Sequence, residues 1–322
     1  MPYALCFPGQ GSQKVGMGRE IYEAFHSAKD VFDEADDALN FHLTKLIFEG
    51  SEEELTLTKN SQPAIMTMSV AALRVLINEM GAMSADRQAK INPVCCAGHS
   101  LGEYTALVAS EAISFRDAVQ LVHKRGIFMQ EAVPEGKGAM AALLGLDEDG
   151  VKNLCDNIAP DGEIQPANFN SPGQVVISGL SEFIDKAIEN AKTYGAKKGV
   201  KLNVSAPFHS VYMKPAAEKL KAEFEKISWN DAKYDIIANV SAKPVKNPDE
   251  IRASLYAQTF SPVLWEQSVN YMADTLGINT YFEIGNGDVL SGLIKRCKKG
   301  MNLFSGATPE KLEKIREELE KC

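Results

Sequence analysis

The run Gly98-His99-Ser100-Leu101-Gly102 sets a serine between two glycines at Gly-x-Ser-x-Gly spacing. The apolar run Pro93-Val94-Cys95-Cys96-Ala97 before it reads as the end of a buried strand. Glu103-Tyr104-Thr105-Ala106-Leu107-Val108-Ala109 after it reads as a helix opening. A serine at such a sharp strand-to-helix turn is lifted clear of the sheet, and small neighbours let the turn close. The backbone N–H groups of the opening helix lack intrahelical partners and point toward charge developing on a bound carbonyl. The chemistry on offer is nucleophilic attack by Ser100 on a carbonyl carbon. The plainer alternative is a glycine-flanked turn with an idle serine.

A serine nucleophile needs a base. The chain has five histidines. His26 and His42 read as surface or cap residues, and His123, with Lys124, reads as solvated surface. His99 lies inside the turn, near the nucleophile. His209, in Pro207-Phe208-His209-Ser210, falls in a loop just after a predicted strand and ranks first as the base for Ser100. Its plainer reading is a hydrogen-bonded loop histidine. Arg125 shares a predicted helix face with Ala118, Val122 and Met129. Pointing inward, it would be a fork for a substrate carboxylate. Otherwise it snorkels outward or pairs with a structural carboxylate.

These groups need a frame. Tyr3 to Phe7 reads as a strand running into the glycine-rich loop Pro8-Gly9-Gln10-Gly11-Ser12-Gln13. That loop lacks the Gly-Lys-Ser/Thr ending of a phosphate loop and is too short for a dinucleotide fingerprint. It is either a tight surface loop or a place where backbone N–H groups approach a ligand. Arg19 to Leu39 reads as one or two helices. Asn60-Ser61-Gln62-Pro63 sets up the start of a buried helix over Ile65 to Met80. Ser114 to Glu131 opens with a capping pattern, Ser114 before Asp117. Farther on, helices are expected over Pro215–Ile227, Ile251–Ala257, Val263–Ala273 and Val289–Arg296, with strands over Tyr234–Val240 and Thr280–Ile284. An amphipathic tail follows Pro309, with Leu312, Ile315 and Leu319 on one stripe. Short apolar strands alternating with helices predict a mostly parallel sheet covered on both faces. Its site belongs beyond the carboxyl ends of the strands, where both the Ser100 turn and the Pro8–Gln13 loop fall.

A second rhythm starts after the linker Pro134-Glu135-Gly136-Lys137-Gly138. Strands over Ala139–Leu146, Ile164–Phe169, Gln174–Gly179 and Gly199–Val204, with helices over Asp147–Asn157 and Ser181–Tyr194, give strand-helix-strand-strand-helix-strand. That is the ferredoxin-like order. The expected architecture is α/β. Residues 1–133 and 205–322 form a discontinuous catalytic core, and 134–204 form an inserted ferredoxin-like α+β subdomain.

Composition narrows the function classes. With 34 basic and 43 acidic residues and no long basic block, nucleic acid is not an expected partner. No apolar run approaches transmembrane length and no signal segment opens the chain, so no membrane is expected. Six cysteines without CxxC spacing read as reduced. The expectation is a soluble cytoplasmic protein.

Five separated pieces carry a resemblance to a known family. They are Phe7-Pro8-Gly9-Gln10-Gly11-Ser12-Gln13, Gly98-His99-Ser100-Leu101-Gly102-Glu103-Tyr104, Arg125-Gly126 with Met129-Gln130, Asn168-Phe169-Asn170-Ser171-Pro172-Gly173-Gln174-Val175-Val176, and His209. In this order, from the first strand to about Gly292, the chain resembles the malonyl-CoA:acyl carrier protein transacylases of type II fatty acid synthesis. The resemblance implies a hydrolase-like α/β core with a ferredoxin-like insert. It also implies transfer of a malonyl group from malonyl-CoA to the phosphopantetheine thiol of acyl carrier protein, with no cofactor. Ser100 would be the nucleophile and His209 its base, oriented by a backbone carbonyl in the Gln258 region. The N–H groups of Gln10 and Leu101 would form the oxyanion hole, and Arg125 would hold the malonyl carboxylate. His99, Asn168 and Phe208 would lie on the substrate side. Phe208 before His209 resembles the malonyl-using pattern, while Pro207 replaces the commoner Ala or Ser. Because both thioester partners are anionic, basic residues are expected near the mouth, with Lys201, Lys295 and Arg296 as candidates. The rival readings are a serine hydrolase or thioesterase, a transferase of another acyl group, and a scaffold without chemistry. Arg125 argues against acetyl or fatty acyl donors.

Overall fold

The computed structural model describes residues 1–80, 91–204 and 206–322. Ser205, where the second core segment was expected to begin, lies outside the described residues.

The large sheet is built from β1 (Tyr3–Phe7), β2 (Cys95–Gly98), β7 (Asp235–Ile237), β8 (Pro244–Val245), β9 (Thr280–Ile284) and β10 (Asn302–Gly306). Its order is β10-β9-β1-β2-β7-β8, and every pairing is parallel except β7 with β8. The short runs YALCF and CCAG are wholly buried, as strands covered on both faces must be. Phe7 pairs with Gly98, so the loop after β1 and the turn after β2 leave the sheet side by side. A Cβ on Gly9 would stand 2.3 Å from the His99 carbonyl oxygen, and one on Gly102 would stand 2.0 Å from the Phe7 carbonyl oxygen. Only glycine permits that approach, and it is what brings the two loops together.

The small sheet holds β3 (Gly138–Leu144), β4 (Ile164–Ser171), β5 (Gln174–Leu180) and β6 (Lys198–Lys201) in the order β4-β5-β3-β6, all antiparallel. The helices Glu148–Ile158 and Ser181–Asn190 bury Val151, Leu154, Ile184 and Ala187 into its own apolar cluster. This is the ferredoxin-like arrangement expected for this stretch. β6 ends earlier than expected, because Leu202, Asn203 and Val204 leave the sheet to line the cavity described below.

Some short elements and the start of the buried helix depart from expectation. The short helices Leu43–Glu49 and Glu52–Thr56 and the half-buried edge strand β10 carry too few repeats for periodicity to register. Arg19–Leu39 is two helices, one of the two readings expected for it, divided at Phe25 into Arg19–Ala24 and His26–Leu39. The buried helix spans Thr58–Val75, so Pro63 lies inside it rather than at its start. Proline has no N–H for the carbonyl four residues back. His123 Nδ1 takes that Lys59 carbonyl at 2.8 Å, so His123 is an inter-helix ligand and not free surface. Lys124 likewise pairs with Glu223 at 2.6 Å. The helix Phe115–Glu131, capped by Ser114 on the N–H of Asp117, packs beside Thr58–Val75. Gly126 lies against the backbone of Thr58 and Lys59, where a Cβ would come within 2.6 Å. That close crossing carries Arg125 inward.

Candidate active site

Ser100 stands between β2 and the helix Leu101–Ala109 at φ 51°, ψ −102°. Such backbone costs a side-chain-bearing residue about 1–3 kcal/mol and persists only when its surroundings over-determine it. Here both flanking peptide groups are held. The Ser100 N–H donates to Asn239 Oδ1 at 2.7 Å, and the Ser100 carbonyl accepts from Gln258 Nε2 at 2.9 Å. A Cβ on Gly98 would lie 2.0 Å from the Gly102 carbonyl, so the turn closes only with glycine there.

Ser100 Oγ lies 2.8 Å from His209 Nε2. His209 Nδ1 lies 2.8 Å from the Gln258 carbonyl oxygen, which can only accept. The Nδ1 therefore carries the proton and Nε2 presents its lone pair to the serine hydroxyl. Among the described residues the ring nitrogens of His209 meet Ser100 and the Gln258 carbonyl, and neither partner is an aspartate. His209 is buried and also has a positive φ, 58°. Burial first, then the Arg125 charge, pull its pKa down to about 3, against the bond to Gln258. The imidazole is thus neutral across physiological pH, the form a general base needs.

Arg125 is 1% exposed, so the outward-snorkelling alternative does not hold. Its Nη1 donates to Gln62 Oε1 at 2.7 Å. Its Nη2 donates to Gln258 Oε1 at 3.0 Å and to Ser100 Oγ at 3.1 Å. The guanidinium lies over the Tyr104 ring, 5.2 Å from its centroid. Burial works against its charge, while nearby Tyr104 and Glu103 work for it. A planar cation with one edge at the Ser100 hydroxyl fits a carboxylate-bearing acyl group.

A cavity of about 430 Å³ opens onto these groups. Gln10 and His99 line it beside Ser100 and Arg125, and Asn168 and Phe208 line it from the small sheet and the His209 loop. His99 Nε2 meets Asn170 Oδ1 at 2.8 Å and its ring packs on Trp265, so it is a wall held in place. Leu101 is the first residue of its helix, so its N–H has no intrahelical acceptor and lies next to Ser100. The basic residues expected at the mouth are not among those lining the cavity. Lys201 pairs with Asp185, and Arg296 donates to Gln174. A larger cavity, about 670 Å³, lies elsewhere, between Leu5, Val70, Ile77, Ile91 and Tyr234. Among the described residues it presents neither a serine nor a histidine.

Four residues of this constellation had no assigned role in the sequence reading: Gln62, Glu103, Asn239 and the side chain of Gln258. Glu103 carried a signal, a lone carboxylate in an otherwise apolar helix. Gln62, beside an in-helix proline, and Asn239, just past β7, carried none.

The chain's likenesses agree with this geometry. Residues 5–296 match the family model described as acyl transferase domain. A malonyl CoA-acyl carrier protein transacylase from Bacillus subtilis (strain 168) is 48% identical over 96% of this chain and 95% of its own length. The crystal structure of an acyl-carrier-protein-S-malonyltransferase from Bartonella henselae superposes with a TM-score of 0.93. It is 42% identical and is covered over 99% of this chain and 100% of its own. A malonyl-transacylase solved in complex with its type II PKS acyl-carrier protein superposes with a TM-score of 0.92 at 39% identity, over 99% of this chain and 100% of its own. The matches run through both sheets and through every element that brings Ser100, His209 and Arg125 together, and the chain belongs to the malonyl CoA-acyl carrier protein transacylase family of acyl transferases.

Proposed function

We propose that Ser100, His209 and Arg125 carry malonyl transfer from malonyl-CoA to the pantetheine thiol of acyl carrier protein. The observation that supports this most is the 3.1 Å approach of a buried guanidinium to the hydroxyl that His209 also holds at 2.8 Å. Malonyl-CoA seats its free carboxylate on Arg125, which sets its thioester carbon at Ser100 Oγ. His209 Nε2 takes the hydroxyl proton as the C–O bond forms. The tetrahedral oxyanion falls to the N–H groups of Gln10 and Leu101, at about 3 kcal/mol per donor. The C–S bond breaks, His209 returns the proton to the CoA sulfur, and a malonyl ester remains on Ser100. The carrier's pantetheine thiol repeats the sequence in reverse. The acyl group passes from sulfur to oxygen to sulfur, and no cofactor of the protein's own enters the balance.

Residues 1–133 and 205–322 would act as the catalytic core, with 134–204 as a subdomain that closes one wall through Asn168. Among the described residues no helix is long and apolar enough to cross a membrane. All six cysteines are free, which supports a reducing, cytoplasmic setting.

The test is intact-protein mass after brief exposure to malonyl-CoA, beside S100A and an acetyl-CoA control. A malonyl adduct absent from S100A and discharged faster by the carrier thiol than by water is expected. CoA release with no faster discharge to the thiol would make the protein a hydrolase instead.

A further inference from the structure

Glu103 is the third residue of the helix that begins after Ser100, and it is 1% exposed. A carboxylate so placed needs partners. Its Oε2 has two: the backbone N–H of Asn239 at 2.9 Å and Gln258 Nε2 at 3.0 Å. These are the same two residues whose side chains hold the peptide groups on either side of Ser100. Asn239 Nδ2 also donates to the Gly98 carbonyl at 2.7 Å, which ties the end of β2 into the same set.

The Gln258 amide has a fixed sense. Its nitrogen faces two acceptors, Ser100 O and Glu103 Oε2, and its oxygen faces the Arg125 guanidinium. Without Glu103 the nitrogen keeps one acceptor, and the sense of the amide rests on the Ser100 carbonyl and the Arg125 guanidinium alone. A turned amide would aim N–H groups at a cation, and Arg125 would move away from Ser100 Oγ.

We propose that Glu103 is a positioning residue for the transfer: its Oε2 is the common anchor of the two amides that hold Ser100, and through Gln258 it aims Arg125. This rests on the reading of Ser100 as the nucleophile. One oxygen accepts both bonds, so the role is one of hydrogen-bond acceptance. A glutamine, with its amide oxygen in that place, fills it.

The test compares E103Q and E103M with the parent protein, using single-turnover acylation by malonyl-CoA and labelling of Ser100 by a fluorophosphonate. Thermal midpoints are read alongside. E103M is expected to lose about tenfold to a hundredfold in kcat for acylation, the scale of a misplaced reacting group. Its KM is expected to stay within about threefold. Its labelling rate falls with kcat, and E103Q recovers most of both. A lower thermal midpoint in E103M with parental kcat and labelling would overturn the proposal, leaving Glu103 a packing residue. Should E103M not fold, E103D keeps the charge but draws the carboxylate back, and an unchanged rate there overturns it equally. Labelling does not need malonyl-CoA. A parent protein that labels but never acylates therefore refutes the malonyl reading, while the E103M labelling rate still decides this one.

Discussion

Arg125 Nη2 lies 3.1 Å from Ser100 Oγ, so the cation suited to a substrate carboxylate is hydrogen-bonded to the very hydroxyl proposed as the nucleophile. Selectivity and reactivity share one group. Nη1 is anchored by Gln62 and the same Nη2 by Gln258, so the aim of the guanidinium does not depend on substrate.

R125A should therefore lower acylation by malonyl-CoA far more than acylation by acetyl-CoA. A lost charged hydrogen bond is worth about 1.5–3 kcal/mol, or about tenfold to 150-fold in rate. Paired single-turnover assays with both thioesters measure it. Equal falls would assign Arg125 to holding Ser100 rather than to reading the carboxylate.

The turn glycines predict a contrast in stability. A Cβ on Gly102 would stand 2.0 Å from the Phe7 carbonyl oxygen, and backbone must move to admit it. Gly292, in the helix Val289–Cys297, has nothing within 4 Å of a built Cβ. G102A is expected to destabilise by at least the ~1–3 kcal/mol of overpacking, whereas G292A should gain up to about 1 kcal/mol of helix propensity. Thermal or urea unfolding separates them, and a G102A protein as stable as its parent would contradict the close packing of the two loops.

The difference between what was and was not legible follows the range of the interactions. The Ser100 turn, the capped helix of Arg125 and the strand order of the small sheet are local patterns, and sequence carries them directly. His209 ranked first because it falls after a strand in a chain poor in histidine. Its partner on the other nitrogen, a backbone carbonyl at Gln258, has no side-chain signature, and only the family resemblance pointed to it. Glu103 joins Asn239 across 136 positions of sequence and Gln258 across 155. No period or spacing encodes a contact of that separation. The proline at position 63 misled for a physical reason: one cost of an interior proline is the carbonyl it leaves without a donor, and His123 pairs that carbonyl.

Burial raises the Glu103 carboxyl to about 7, against the bonds from Gln258 and Asn239 and the charge of Arg125. A folded value above the unfolded one favours the folded state fully below the unfolded value of about 4.5, and that contribution is lost as pH rises through about 7. E103Q stays neutral throughout while keeping both hydrogen bonds. Its stability relative to the parent should thus rise between pH 5 and pH 8. Unfolding midpoints measured for both proteins at the two pH values check this. A constant difference would mean that the carboxyl does not titrate there.

His209 runs the other way, and its effect is read in rate. Its pKa is pulled down to about 3, by burial first and the Arg125 charge second. A histidine at its ordinary value of about 6.5 would be only about a quarter neutral at pH 6. Here the neutral, proton-accepting form persists far below that. The kcat/KM of acylation reports the free enzyme's base. It should stay flat from pH 8 down to about pH 5, the lowest value at which the fold is tested. Rapid-quench acylation at short times, with unfolding followed in parallel, gives the profile. A half-maximal rate near pH 6.5 in protein that remains folded would mean that His209 is solvated when it acts. Its buried geometry would then not be the reacting one.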